Sequence, residues 1–157
     1  MTAPAWFALL QLVHLLAATV WVGGMAVVYF AVRPAAAQAI GEPPLRLRFM
    51  AALLGRFFAW VSVAVLALLA SGLALVVLGG GFARVHWSVH AMLAIGLVMM
   101  AIFGHVRFAP YPRLQRAVDA GEWKNAAAGL EQIRVRVAVN LALGVVVYAV
   151  AVLGRVF

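Results

Sequence analysis

The stretch Phe57–Ala83, FFAWVSVAVLALLASGLALVVLGGGFA, contains no Asp, Glu, Lys or Arg. A helix needs about 20 largely apolar residues, rising ~1.5 Å each, to cross ~30 Å of hydrocarbon. This window is long enough. Lipid offers no partner to backbone N–H and C=O groups, so the segment must be helical. Three more charge-free windows surround it: everything before Arg33, then Val85–Val106 and Val137–Gly154. The first two reach the required length, and the last does so with its shoulders. The short alternating strands of a membrane barrel are absent. The fold class expected is an all-α integral membrane protein, a bundle of four transmembrane helices forming one domain over residues 1–157. The helices are expected at about 5–32, 50–78, 85–109 and 133–155, with connections at about 33–49 and 110–132.

Composition agrees. Of 157 residues, 68% are hydrophobic and 10% charged, where a soluble domain has about 45–50% and about 25%. So few charges cannot cover a water-exposed surface, which excludes a soluble enzyme and a nucleic-acid-binding module. The first window is read as a helix and not a cleaved signal peptide. It lacks a basic leading region, is too long, and carries Gln11, His14 and Trp21. The absence of cysteine rules out disulfides and thiolate metal sites.

The charges set an orientation. Arg33, Arg46, Arg48 and Arg56 lie between the first two windows, and Arg107, Arg113, Arg116, Lys124, Arg134 and Arg136 between the last two. The other side has only Arg84 and Arg155. Basic connections stay in the cytoplasm. Both termini and the Gly79-Gly80-Gly81 turn are therefore expected outside it, in a multi-pass protein of the bacterial inner membrane. Most of the formal +8 is then orientation, not a surface for nucleic acid. Pro34, Pro43 and Pro44 bound the first connection; Pro110, Pro112 and Gly121 punctuate the second. A faint echo between Arg46-Leu47-Arg48-Phe49 and Arg134-Val135-Arg136-Val137 is compatible with a duplicated hairpin and with orientation alone.

All four histidines, His14, His86, His90 and His105, fall in membrane windows. An ionisable side chain there is costly and marks a functional site by default. Depth sorts them. At ~1.5 Å per residue, His14 lies about 13 Å from an outer boundary near Ala5. From Arg84, His90 lies about 9 Å deep, His86 about 3 Å and His105 about 31 Å. His14 and His90 are thus expected to approach one centre, with His86 near the outer rim and His105 apart. Gln11, His14, Ala18, Trp21, Met25 and Tyr29 share a helical stripe, as do Arg136, Asn140, Gly144 and Tyr148 on the fourth helix.

Neutral imidazoles from two helices can hold haem iron, with Trp21, Arg84, His86 and Trp87 around the ring and its propionates. The alternative is copper, for which Met25, Met92, Met99 and Met100 add soft sulfur. Methionine is also an ordinary core filler.

His14, Trp21 and Gly24 within LVHLLAATVWVGG (residues 12–24) resemble the first-helix signature of the CopD-like membrane proteins, and the His-to-Trp spacing is similar to that of the related HemJ group. Gly55-Arg56-Phe57 leading to Leu69-Ala70-Ser71-Gly72, and the entry through Leu130-Glu131 and Arg134, are also CopD-like. The resemblance implies copper handling in the bacterial inner membrane. The HemJ relation implies a haem-b membrane oxidase acting on protoporphyrinogen IX. His14 is the position common to both. The chain departs from HemJ at Gly104-His105, which has no neighbouring tyrosine, and at Arg33, which comes three residues late; CopD-like is the better fit.

Three expectations follow, in order. The first is a b-type haem protein with His14 and His90 as metal ligands and an electron-transfer or redox role in the outer half of the membrane. It leaves open whether the chain is a haem-dependent oxidoreductase, and its partners are a quinone or a periplasmic redox protein besides membrane lipid. The second is copper transport or handling through His14, His86, His90 and methionines. The third is a structural or assembly subunit. A homodimer is compatible with all three and could supply a second ligand near His105.

Overall fold

The computed structural model describes residues 3–154 and Val156. Arg155, counted among the outer basic residues and expected to close the fourth span, lies outside them. The described residues are helical, with four helices long and apolar enough to cross a membrane. They are α1 (Pro4–Ala39), α2 (Pro43–Leu78), α3 (Trp87–Phe108), continued after a bend by the short α4 (Pro110–Asp119), and α5 (Trp123–Leu153). Trp60, Phe30, Leu66 and Phe108 are 68–80% exposed. A large apolar surface of this kind faces lipid, not water.

The spans stand where charge predicts, but the connections do not. Helix α1 runs on to Ala39, and the first connection shrinks to residues 40–42. A proline inside an α-helix removes one hydrogen bond and crowds the carbonyl four residues back. Here Pro34 follows a wide π turn at Val28–Val32, and a second wide turn occupies Thr19–Gly23. The wide turn shifts the hydrogen-bond register just before the proline, so the helix continues past it. Pro43 and Pro44 occupy the first turn of α2, where a missing N–H costs nothing. The basic run that follows is helical, and the Arg48 guanidinium lies 5.2 Å above the Trp123 ring.

Ala109 precedes Pro110 and leaves helical geometry at φ −117°, ψ −74°. Helix α4 then buries Tyr111, Leu114, Ala117 and Val118 and exposes Arg113 and Arg116. Its Tyr111 hydroxyl donates to the Ala51 carbonyl at 3.3 Å. The glycine turn reads as expected: Gly80 and Gly81 have φ of +93° and +85°, open only to glycine without strain.

Helix α1 packs along α2, and α3 along α5, giving two hairpins; α5 also touches α1, α2 and α4. An aromatic chain of Trp21, Phe103, Phe58 and Tyr111 knits α1 to α4 with centroid spacings of 6.1, 5.9 and 5.2 Å. Gly144 sets the α1–α5 approach. A Cβ there would meet the Val22 methyls at 2.9 and 3.0 Å and Met99 Cε at 3.4 Å. Close approach through a small residue is how membrane helices gain packing contacts. Gly144→Leu should destabilise the bundle by about 1–3 kcal/mol through overpacking. An SDS-unfolding titration reads this, and an unchanged midpoint would contradict the crossing.

Candidate functional site

His14 sits in the N-terminal half of α1 and is half-buried against α2. Its Nδ1 lies 3.0 Å from Ser71 Oγ. Ser71 is 3% exposed, and its hydroxyl donates to the Ala67 carbonyl at 2.6 Å, with the Leu68 carbonyl at 3.3 Å. A hydroxyl carries one proton. With that proton committed to its own helix, Ser71 Oγ accepts from His14, so Nδ1 bears the hydrogen. Nε2 is then the nitrogen with a free lone pair, the form in which imidazole binds metals. Gly72 makes room for the ring: a Cβ there would lie 3.1 Å from His14 Cε1.

Ser71 and Gly72 flank the His14 ring, contacts that residue spacing alone does not predict. Ser71 is seven residues from Leu78, the C-terminal end of α2, so about 10 Å along the helix from it at ~1.5 Å per residue. That depth matches His14 as well as His90 does.

The other outer histidine takes different neighbours. His90 is exposed, and its ring lies 6.1 Å from that of Phe82. The structure thus pairs His14 with Ser71 and sets His90 beside Phe82. Helix α1 turns His14 toward α2, while α3 packs along α5. His86 caps α3. Its Nδ1 accepts from the Ser88 backbone N–H at 3.4 Å and lies 3.1 Å from Ser88 Oγ. Capping of this kind satisfies a helix-end donor. Arg84 and Trp87 are exposed at the same end, with Trp87 5.6 Å from the His86 ring. His105 is exposed in the last turn of α3.

Trp21, by contrast, is 3% exposed in the bundle core beside Phe103. Met25 and Met99 are buried in the same cluster as packing groups. Among the described residues, no set of three or more His, Cys, Asp or Glu side chains converges on one point.

The matched sequence decides the family. Residues 51–153, roughly two thirds of the chain, match the family model of CopD, copper resistance protein D. The chain belongs to the CopD family. The match takes in α3, α4, α5 and nearly all of the α2 span, including Ser71 and Gly72, while His14 and Trp21 lie before it. No curated protein and no solved structure gives a match. CopD membership and four membrane-length helices make this a multi-pass membrane protein.

Proposed function

We infer that this CopD-family chain handles copper within a bacterial inner membrane, with His14 the intramembrane ligand and the ion as cargo. The observation that carries the reading is the His14–Ser71–Ala67 hydrogen-bond chain, which leaves Nε2 as a lone-pair donor inside a span. A histidine in that position costs insertion free energy and earns its place by function. Imidazole suits copper, and the chain has no thiolate that would bind it more tightly. A carried ion must leave again, which favours a site with few donors over a closed cage.

His86 and His90, both exposed beyond the glycine turn, are the nitrogen donors an ion meets first on that side. The excess of basic residues at the opposite end supports that end as cytoplasmic and both termini as external.

Metal analysis and an absorption spectrum on one purified sample test this. After loading with Cu(I) and desalting, the protein should retain copper and show no Soret band. Iron with a Soret band would overturn the copper reading in favour of b-type haem on His14 and His90. A colourless protein without copper would overturn it in favour of a structural subunit.

A further inference from the structure

Where all four spans meet, the bundle leaves a small, partly open cavity of about 10 Å³. Phe58 on α2 and Phe103 on α3 form part of its wall, and its polar lining is Trp21 from α1 with Arg136 and Asn140 from α5. Trp21 and Asn140 are each 3% exposed. The Trp21 Nε1 donor and the Asn140 Oδ1 acceptor are buried and have no hydrogen-bond partner. Buried polar atoms are nearly always paired, with protein or with an ordered water. Both side chains line one cavity, so one explanation can serve the donor and the acceptor together.

We propose that this cavity is a binding site for a single water molecule, which accepts from Trp21 Nε1–H and donates to the Asn140 side-chain oxygen. Its volume is that of about one water-sized sphere, the smallest space that holds one. Water both donates and accepts, so one molecule answers an N–H and a C=O together. A metal cation answers only one need: it suits the Asn140 oxygen, but the indole N–H repels it and Arg136 lines the same space. An apolar occupant would leave both atoms unpaired. The water fastens α1 to α5 next to the Gly144 crossing, and so joins the two hairpins through a polar contact inside the apolar core. This site stands apart from His14 and does not depend on the copper reading.

The test uses the full-length protein in detergent micelles with ¹⁵N-labelled indoles. Trp21→Phe identifies the Trp21 resonance among the five tryptophans. In the wild type, the Trp21 indole proton should give a rotating-frame cross-peak to water with the sign of a bound molecule, not of exchange. In Asn140→Leu that cross-peak should vanish and the unfolding midpoint should fall, because the indole loses its partner. Absence of the wild-type cross-peak would overturn the proposal, as would its persistence in Asn140→Leu. A raised midpoint in Asn140→Leu would also overturn it, since removing an orphaned carbonyl from a dry cavity stabilises. If the leucine variant does not fold, the wild-type spectrum alone decides.

Discussion

His14→Ala should abolish Cu(I) retention, and Ser71→Ala should lower Cu(I) affinity by roughly 10–100-fold, the usual cost of losing the partner that orients a ligating histidine. The two changes act on one atom. Removing the imidazole removes Nε2 itself; removing the Ser71 hydroxyl frees Nδ1 and lets the proton move to Nε2, where it blocks the lone pair. Ser71→Thr keeps a hydroxyl that can still donate to Ala67 and accept from His14, so it should restore much of the affinity. A merely structural serine would respond to size, with alanine milder than threonine. Competition against a Cu(I) chelator, with circular dichroism to establish folding, distinguishes the patterns. Equal affinity in wild type and Ser71→Ala would remove Ser71 from the site, and full retention in His14→Ala would end the copper reading at this position. His90→Ala separates the outer histidines from the central one: it should slow loading without lowering the affinity once loaded.

Phe58→Ala should destabilise the bundle by about 3–5 kcal/mol, the range for emptying a buried phenylalanine site. Phe58 is 1% exposed and meets Phe103 and Tyr111 edge-on, with Phe57 tilted against it. Each aromatic pair adds about 0.5–1.5 kcal/mol beyond area alone. In lipid the loss is one of packing, because the surrounding chains are as apolar as the core. The ring joins α2 to α3 and α4, so no neighbour can collapse into the gap without separating others. Trp60, two residues on and 70% exposed, is the control: Trp60→Ala should change stability by no more than about 0.5 kcal/mol. Equal effects at the two positions, measured by SDS unfolding, would mean that α2 presents a different face to the core.

The four spans were legible because lipid imposes one simple rule, that charge stays out. Helix ends obey no such rule. Arg46 and Arg48 read as connection because they are charged, yet a helix beyond the hydrocarbon can carry charge on its outer side, and Arg48 finds the Trp123 ring. Pro34 reads as a stop because a regular α-helix has no place for it; the wide turn before it depends on φ and ψ that composition does not encode. His14 stood out for the cost of burying it. Its partner did not, because counting residues fixes depth and leaves rotation about the helix axis undetermined. Ser71 and His90 are about equally deep, and it is the packing of α1 on α2 that brings Ser71 to the ring. Asn140 could be placed on a packing stripe, but that it lines one cavity with Trp21 required coordinates.

Helix α5 touches α1, α2, α3 and α4, while α1 and α3 each lean mainly on one neighbour. This has a consequence for biogenesis. A ribosome working from the N-terminus delivers α1 and α2 to the bilayer as a hairpin, then α3, and delivers α5 after them all. The earlier spans can insert singly, because insertion asks only for apolar length, but they have no hub to gather around. Completion of the bundle must wait for α5, and until then the surfaces of α1, α2 and α3 that α5 covers face acyl chains. A ribosome stalled before Trp123 would thus leave three inserted spans and an incomplete core, a target for membrane quality control.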